Sequence, residues 1–276
     1  MNYLEELFGL AGKRIIVTGA GGLLGKEFAQ ALSGAGAKLY LLDVDEVSLR
    51  ETCDSITCSG GAAETISCDI TCKENVDSAV EKIAVSGRID ALVNSAAIDP
   101  KLDKGKFEDL VEDSWFSAYP LEKWNSSLNV NLTGTFLVTQ AVCRIIEKQD
   151  GGRGSIVNIS STYGLTGPDQ SIYESKRGRT YYKPVDYSVT KAGVLGFTRA
   201  VAACYSGTNI RVNALTPGGV ENQQEEEFIR RYSSKTILGR MAHVDDFRGA
   251  IIFLCSDASS YMTGANLVID GGWTAI

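Results

Sequence analysis

The chain has 276 residues, 44% of them hydrophobic and 22% charged, which is typical of a globular protein and allows one large α/β domain or two small ones. A net charge of −7 argues against nucleic acid or an anionic membrane surface as a partner, because both require a positive surface. No apolar run of about 18 residues occurs, and the N-terminus lacks the basic start and apolar core of a signal peptide, so we expect a soluble, cytoplasmic protein. Seven scattered cysteines and a single histidine, His243, favour reduced thiols and no metal site.

The first predicted strand leads directly into a glycine-rich turn and a helix. Residues 14–18 (RIIVT) form a β-branched run typical of a buried strand, the sequence GAGGLLG follows at residues 19–25, and a helical apolar spacing begins at Leu23. Small residues at such a turn let the backbone approach a pyrophosphate, whose charge lies at the helix N-terminus. The turn therefore indicates a dinucleotide site, and a tight strand-to-helix connection is the alternative.

An acidic residue follows the second predicted strand, residues 37–42. Asp43 stands there, 18 residues after Gly25. A carboxylate at that position can accept hydrogen bonds from both ribose hydroxyls of an adenosine and would repel a 2′-phosphate. The sequence thus favours NAD over NADP as the cofactor. The alternative is that Asp43 caps a helix near Val47.

The next two predicted strands also end in polar residues. Residues 64–68 are followed by Asp69, and residues 89–93 are followed by Asn94. Alternating strands and helices without a linker imply right-handed βαβ units, so we expect a single α/β domain over residues 1–276 with a Rossmann-like, doubly wound parallel sheet. The pocket of such a sheet lies outside the carboxyl ends of its strands, where the sequence places Gly19, Asp43, Asp69, Asn94 and Ser161.

A segment rich in polar and aromatic residues follows the fourth strand, at residues 98–121. Loops of this length are mostly functional or disordered, and the aromatic residues argue against disorder. We interpret the segment as a lid or substrate wall, with a subunit contact as the alternative.

Tyr187 and Lys191 lie four residues apart at the start of an apolar helical pattern. Positions i and i+4 share one helix face, so we expect the Lys191 ammonium close to the Tyr187 phenol. A nearby cation favours the phenolate and brings the pKa of tyrosine, about 10 in isolation, towards neutrality. The pair thus indicates a proton-transfer site, and a chance pairing on a surface helix is the alternative.

Together these motifs resemble those of the short-chain dehydrogenase/reductase family over nearly the whole chain, residues 14–273. The resemblance implies reversible hydride transfer between a nicotinamide cofactor and a secondary alcohol or ketone. A catalytically silent binding protein of the same fold is an alternative. The family also implies a homotetramer or homodimer, because the helices that carry its catalytic residues pack across subunits.

The same resemblance assigns individual roles. Tyr187 is the acid–base group, and Lys191 lowers its pKa and binds ribose. Ser161 stabilises the developing oxyanion, and Asn131 completes a proton relay. The cofactor contacts that the resemblance implies lie at Gly19, Gly22, Leu23, Leu24, Gly25, Asp43, Asp69, Ile70, Asn94, Ala96, Tyr187, Lys191, Pro217, Gly218 and Val220.

The glycine turn departs from the usual pattern of the family. Single-domain members usually carry TGxxxGxG, whereas residues 18–25 read TGAGGLLG, with Leu23 in place of the middle glycine and Gly22 one position earlier. This spacing resembles the TGxxGxxG pattern of the family's longer, sugar-nucleotide-using branch. Residues 94–97 (NSAA) also differ from the family's NNAG motif, but Ser95 and Ala97 are small enough to keep its packing.

The interval from Ser161 to Tyr187 is 26 residues, about twice the usual interval of the family. Within it, residues 168–183 contain four cations and three tyrosines. Beside an active site, such a cluster suits an anionic substrate group such as a phosphate, and a solvated charged loop is the alternative. We therefore assign substrate loops to residues 98–121, 166–184 and 219–240.

The C-terminal half is similar to bacterial oxidoreductases of nonulosonic-acid and other surface-sugar pathways, including those of flagellin modification. This similarity implies a small-molecule substrate that is a phosphorylated or nucleotide-linked sugar. The alternative is a 3-oxoacyl thioester on acyl carrier protein, an acidic partner for the basic segment. That reductase chemistry normally uses NADPH, and Asp43 argues against it.

Overall fold

The computed structural model describes residues 3–99, 114–173 and 182–276, which form a parallel β-sheet covered by helices on both faces. The strand order is β3-β2-β1-β4-β5-β6-β7, and every neighbouring pair is parallel. The strands are β1 (Arg14–Thr18), β2 (Lys38–Asp43), β3 (Ala62–Ser67), β4 (Ala91–Asn94), β5 (Arg153–Ile159), β6 (Asn209–Pro217) and β7 (Asn266–Ile269). The predicted fold class, a Rossmann-like doubly wound sheet in a single domain, is confirmed.

Helices connect these strands, because parallel pairing obliges the chain to return from the end of one strand to the start of the next. The described α-helices are α1 (Tyr3–Phe8), α2 (Leu23–Gly34), α3 (Glu46–Cys58), α4 (Lys73–Val85), α5 (Leu121–Leu128), α6 (Thr135–Ile146), α7 (Val185–Cys204), α8 (Glu226–Ser233) and α9 (Arg248–Cys255). Within the described residues, none of these helices combines the length and apolar character needed to cross a lipid bilayer.

The sheet separates two apolar cores. In β1, Ile15 and Val17 belong to one core and Ile16 to the other, because successive side chains of a strand point to opposite faces. Phe28 of α2 packs in the first core, and Val142 of α6 packs in the second. The β-branched run that predicted a buried strand is therefore buried on both faces, as parallel strands in α/β proteins are.

The carboxyl ends of the central strands stand in register. Thr18 at the end of β1 pairs with Leu42 of β2 and with Asn94 of β4, and Asn94 pairs with Asn158 of β5. Asp43 is the last residue of β2. The polar residues at the predicted strand ends are thus gathered at one edge of the sheet, although the observed strand boundaries differ slightly from the predicted ones.

A π-helical turn, Asn129–Gly134, joins α5 to α6 and contains Asn131. At Gly134 a Cβ would lie 2.6 Å from Ile70 Cδ1, so the glycine lets this turn pack directly on the segment after β3. Single π-turns inside α-helices are frequent at functional sites.

Two of the predicted substrate loops extend outside the described residues. Residues 100–113 belong to the first loop, and residues 174–181 belong to the second. The second stretch contains three of the four cations of the basic segment, Lys176, Arg177 and Arg179. The interpretation of these residues as a lid or an anion-binding cluster lies outside the part of the chain that the structure describes.

Candidate active site

The turn between β1 and α2 is packed so closely that side chains would not fit. Gly19 has a φ of 64°, and a Cβ there would lie 2.6 Å from Ala96 Cα. Beside it, Thr18 Oγ1 accepts a hydrogen bond from Ala96 N at 3.2 Å. At Gly25 a Cβ would lie 2.0 Å from the Gly19 carbonyl oxygen. Gly22, the N-cap of α2, has no side chain to cap the helix, so the N–H groups of its first turn can face an anion.

Leu23 and Leu24 occupy the first turn of α2. Leu23, which replaces the family's middle glycine, is 39% exposed, whereas Leu24 packs against the core. The turn keeps its hydrogen bond from Gly22 N to Gly19 O, at 3.0 Å. The departure from the usual glycine pattern is therefore accommodated without opening the turn.

Asp43 is held at the end of β2 by three backbone N–H groups. Its Oδ2 accepts a hydrogen bond from Gly21 N at 2.9 Å, and its Oδ1 accepts from Val44 N at 2.8 Å and Asp45 N at 3.1 Å. Helix α3 is capped by Asp45, whose side chain accepts from two backbone N–H groups of that helix. The alternative interpretation of Asp43 as a helix cap is therefore wrong, because Asp45 takes that position.

Asp69 and Ile70 follow β3 and face different surroundings. Asp69 is exposed, and its Oδ1 accepts hydrogen bonds from Thr71 N at 2.9 Å and Thr71 Oγ1 at 2.7 Å. Ile70 is buried against Gly134. The carboxylate is thus fixed at the sheet edge, and the adjacent side chain holds the π-helical turn.

Asn94 belongs to a buried row of side-chain hydrogen bonds beneath the carboxyl ends of the strands. Its Nδ2 donates to Asn158 Oδ1 at 2.8 Å and to Thr139 Oγ1 at 2.9 Å. Asn158 Nδ2 donates in turn to Thr198 Oγ1 at 3.0 Å. This row ties β4 and β5 to α6 and α7, the helices on one side of the site.

The backbone of residues 217–220, at the end of β6, is closely packed. At Gly218 a Cβ would lie 2.8 Å from Asp270 Cα, and Val220 forms a parallel bridge with Ala242. Pro217, Gly218 and Val220 are therefore placed at the same sheet edge as the glycine turn. Their contacts with a cofactor stay a prediction.

Three of the residues assigned catalytic roles lie together where α7 begins. Tyr187 is the third residue of α7, and Lys191 Nζ lies 5.7 Å from the centroid of its ring. The Ser161 side chain lies beside the Tyr187 phenol and lowers its pKa. Lys191 is buried and donates a hydrogen bond to Ile159 O at 2.9 Å. Ser160 instead donates to Lys191 O at 2.8 Å, so it is Ser161 that reaches the phenol.

Burial dominates the protonation of both titratable groups. It raises the pKa of Tyr187 well above its ordinary value, Asp99 raises this pKa further, and the hydrogen bond with Ser161 opposes them. Burial lowers the pKa of Lys191 to about 8. The pKa of Tyr187 in this structure therefore moves opposite to the lowering expected from Lys191, because desolvation of the phenolate is the largest influence on it.

Asn131 is buried, and its side chain holds two neighbouring segments. Its Oδ1 accepts a hydrogen bond from Ile98 N at 2.7 Å, and its Nδ2 donates to Ile98 O and to Thr190 Oγ1, each at 3.0 Å. The backbone carbonyl of Asn131 accepts from Thr135 Oγ1 at 2.9 Å. The amide thus links the loop after β4 to α7, while the assigned relay role stays a prediction.

An aromatic cluster beside Tyr187 was not anticipated from the sequence. Tyr232 stacks on Trp273 with ring centroids 4.4 Å apart, Tyr163 approaches Trp273 edge-on at 6.3 Å, and Phe228 lies 6.1 Å from Tyr232. Tyr187 packs against this cluster. Its members come from the segment after β5, the 219–240 loop and the C-terminus, so no local pattern could have indicated them.

The substrate loops at 166–184 and 219–240 contact each other directly. Lys235 Nζ lies 2.8 Å from Asp169 Oδ2, and Arg231 Nη1 donates to Ser171 O at 3.0 Å. The described parts of the two loops therefore lie against each other at Asp169, Ser171, Arg231 and Lys235, which fits their common assignment to the substrate side.

An ion pair between Asp99 and Lys183 was also missed. Lys183 Nζ contacts Asp99 Oδ1 and lies 4.3 Å from the centroid of the Tyr187 ring. The sequence did carry one signal, because Lys183 precedes Tyr187 by four residues. The pairing itself could not be recognised, since the partners are 84 residues apart in the chain.

This sheet edge fits a nicotinamide dinucleotide. It combines a turn without room for side chains, a helix N-terminus free of a side-chain cap and a carboxylate at the end of β2. Such a cofactor would be held by residues at the carboxyl ends of β1, β2, β4 and β6.

Comparison with known proteins agrees with this site. The family described as enoyl-(acyl carrier protein) reductase matches residues 19–274. The chain is 34% identical over 270 residues to the 3-oxoacyl-(acyl-carrier-protein) reductase FabG of Aquifex aeolicus (strain VF5), covering 95% of this chain and 98% of that protein.

Two crystal structures share the whole architecture. A short-chain type dehydrogenase/reductase from Mycobacterium marinum has a TM-score of 0.85 at 31% identity, with all of both chains covered. A gluconate 5-dehydrogenase from Burkholderia cenocepacia J2315, solved with NADP and tartrate, has a TM-score of 0.84 at 28% identity and covers 99% of this chain and 100% of its own. Together with the site described above, these matches establish that the chain belongs to the short-chain dehydrogenase/reductase family, whose members oxidise alcohols or reduce keto groups with NAD(P).

Proposed function

We propose that this oxidoreductase uses NAD to transfer a hydride to or from a secondary alcohol or ketone of a phosphorylated or nucleotide-linked sugar. The observation that carries the reaction type is the grouping of Tyr187 with Ser161 and Lys191 at the carboxyl edge of the sheet. The relative named gluconate 5-dehydrogenase supports a polyhydroxylated, anionic class of substrate. The basic composition of residues 168–183 supports it as well.

The preference for NAD rests on Asp43. Its carboxylate ends β2 beside the glycine turn, where it can bind ribose hydroxyls and disfavour a 2′-phosphate. The Burkholderia relative was solved with NADP, so NAD preference is proposed for this chain on Asp43 and not on its relatives. In this proposal the glycine turn and the N-terminus of α2 hold the pyrophosphate, and the segment around Val220 holds the nicotinamide carboxamide.

The residues around Tyr187 carry the proton chemistry. When bound, the cofactor supplies a hydride acceptor for an alcohol or a hydride donor for a ketone. Tyr187 accepts the proton of the alcohol, or donates one to the ketone oxygen, and Ser161 donates a hydrogen bond to that oxygen as charge develops on it. Lys191, with a pKa of about 8, keeps a positive charge beside the phenol at neutral pH and favours its ionised form.

Asn131 completes the proton relay in this proposal. Its side-chain NH₂ donates to Ile98 O and to Thr190 Oγ1, so the groups left for the relay are its two oxygens, Oδ1 and the backbone carbonyl. Each of these oxygens also accepts a hydrogen bond in the structure, Oδ1 from Ile98 N and the carbonyl from Thr135 Oγ1.

Reduction of a 3-oxoacyl thioester on acyl carrier protein is the second candidate. The 34% identity to a FabG protein over almost the full length favours it. Asp43 argues against it if the reaction requires NADPH, because the carboxylate would lie close to the 2′-phosphate. Cofactor preference therefore separates the two candidates.

We also propose a cytoplasmic homotetramer or homodimer built on the helices that carry Asn131 and Tyr187. Phe136 of α6 is 44% exposed and Val189 of α7 is 40% exposed, and large apolar side chains at the surface of neighbouring helices suit a subunit contact.

The proposal is tested by fluorescence titration of NADH and NADPH, followed by turnover assays on sugar phosphates, nucleotide sugars and acetoacetyl-acyl carrier protein. Wild type and Tyr187→Phe are compared throughout. We expect both proteins to bind NADH more tightly than NADPH. We expect turnover of a sugar by the wild type alone. Turnover of the acyl thioester with NADPH would establish the second candidate, and equal turnover by Tyr187→Phe would exclude the assigned mechanism.

A further inference from the structure

A second ammonium group lies nearer to the Tyr187 ring than Lys191 does. Lys183 Nζ is 4.3 Å from the ring centroid, compared with 5.7 Å for Lys191 Nζ. The Lys183 side chain is only 8% exposed, and Nζ is paired with Asp99 Oδ1. Burial of a lysine ammonium costs free energy of folding unless an opposite charge compensates it. Asp99 supplies that charge, so we treat the ion pair as part of the structure of the site.

The backbone on both sides of the pair is fixed. Gln170 Oε1 accepts a hydrogen bond from Lys183 N at 2.9 Å, and Gln170 Nε2 donates to Lys183 O at 3.2 Å. Asp99 follows Ile98, whose N–H and C=O are both bonded to the Asn131 amide. The two charged side chains are therefore presented to Tyr187 from anchored segments, one after β4 and one before α7.

Asp99 acts electrostatically on both groups of the proton-transfer site. Its negative charge raises the pKa of Tyr187 and also that of Lys191, whereas Lys183 lowers the pKa of Lys191. The other groups that act on Tyr187 are the Ser161 side chain, which lowers its pKa, and the phenols of Tyr163 and Tyr232, which raise it. Asp99 is thus the anion that opposes ionisation of Tyr187, and Lys183 is its direct partner.

We propose that Lys183 is a positioning residue that neutralises Asp99 beside Tyr187 and thereby controls how readily the phenol gives up its proton. This inference rests on the proposed acid–base role of Tyr187. An unpaired Asp99 would add a full negative charge next to a phenolate, and an unpaired Lys183 would add a full positive charge. The unpaired anion raises the pKa of the Tyr187 phenol, and the unpaired cation lowers it. Removal of both charges returns this pKa towards the wild-type value.

The test measures ionisation of Tyr187 directly and needs no substrate. Protein made with a trifluorinated tyrosine, whose electron-withdrawing fluorines make the phenol several pH units more acidic, is titrated by ¹⁹F NMR from about pH 6 to about pH 11, so that a raised pKa of Tyr187 falls inside the range. The Tyr187 signal is identified by its loss in Tyr187→Phe. The variants are Asp99→Asn, Lys183→Met and their combination, with Lys183→Arg as the charge-preserving substitution.

We expect the Tyr187 titration to move down by at least about one pH unit in Asp99→Asn and up, or out of the range, in Lys183→Met. The double variant and Lys183→Arg should titrate close to the wild type. Lys82→Met, which removes an exposed lysine from α4, is the control and should change nothing. General damage to the site would instead shift the Tyr187 titration in the same direction in both single variants. The two shifts would then add in the double variant.

Two results would overturn the inference. The first is a Tyr187 titration in Asp99→Asn at the same pH as in the wild type, or at a higher pH, since removal of the anion must favour the phenolate. The second is a shift of equal sign in both single variants. Failure of the proposed function has a different signature, because Tyr187→Phe would then keep its turnover whatever the NMR titration shows.

Discussion

Asp43 Oδ2 accepts a hydrogen bond from the backbone N–H of Gly21 at 2.9 Å, which ties the end of β2 to the glycine turn. The same carboxylate accepts two further backbone hydrogen bonds through Oδ1. It therefore stands beside the turn in a fixed orientation instead of extending into solvent. This contact links two features that the sequence could only describe separately, a glycine-rich turn and an acidic strand end.

Replacement of Asp43 should change the choice of cofactor. In Asp43→Ser the negative charge is removed, so we expect affinity for NADPH to rise by about tenfold or more relative to NADH, which corresponds to about 1.4 kcal/mol. The measurement is the ratio of the two dissociation constants from fluorescence titration. Asp45→Ser is the matched control, because it alters the cap of α3 and should leave the ratio unchanged. An unaltered ratio in Asp43→Ser would remove the basis for NAD preference.

Gly19 should tolerate no side chain. In Gly19→Ala the new Cβ would meet Ala96 Cα at 2.6 Å in a backbone with φ of 64°, so we expect the free energy of unfolding to fall by about 2–4 kcal/mol and NADH binding to be lost. Gly12→Ala is the control, because Gly12 has a φ of 78° but no atom within 4 Å of the added Cβ.

Both glycines have a positive φ, so the strain of that backbone conformation is common to the two variants. The difference between their losses in free energy of unfolding therefore measures the close approach at Gly19. Urea denaturation and NADH titration should show Gly12→Ala losing about 1–2 kcal/mol while keeping the cofactor site. Equal losses in the two variants would mean that the contact between β1 and the segment after β4 relaxes at no cost.

Lys191 should impose a pH dependence on stability. Burial lowers its pKa from 10.5 to about 8, so the folded chain binds this proton less tightly than the unfolded chain. Below pH 8 the buried ammonium therefore opposes folding in full, and this penalty is relieved as the pH rises from 8 towards 10.5. In Lys191→Met the dependence disappears.

The comparison is made by urea denaturation of wild type and Lys191→Met at about pH 7.5 and about pH 9.5. We expect the free energy of unfolding of the wild type to gain about 1–2 kcal/mol relative to the variant over this interval. Because other groups titrate in both proteins, they cancel in the difference. A difference that stays constant with pH would show that Lys191 keeps its ordinary pKa in the folded chain.

The exposed apolar residues of α6 and α7 should be needed for oligomer formation. We expect Phe136→Asp and Val189→Asp to convert the assembly to monomers in size-exclusion chromatography with light scattering, because a buried carboxylate in each subunit contact would be unpaired. Val85→Asp is the control, since Val85 is 91% exposed at the end of α4, outside the helices expected at the contact. Unchanged mass in the first two variants would place the interface elsewhere.

The sequence by itself determined the architecture and the residues at the strand ends. The run RIIVT, the glycine turn and Asp43 are local signals, because strand periodicity and turn chemistry depend on neighbouring residues. The spacing of Tyr187 and Lys191 was similarly sufficient to bring their side chains to one helix face. These features were predictable because each is decided within a few residues of chain.

The tertiary structure decided what depends on distant segments. Asp99 and Lys183 are 84 residues apart, and only the packing of the loop after β4 against the start of α7 brings them together at Tyr187. The engagement of the Asn131 amide by Ile98 and Thr190 likewise depends on segments far apart in the chain. The pKa of Tyr187 is raised, although the sequence predicted that Lys191 would lower it. The spacing of the two residues indicates a nearby cation, but the cost of burying a phenolate depends on all the segments packed around it.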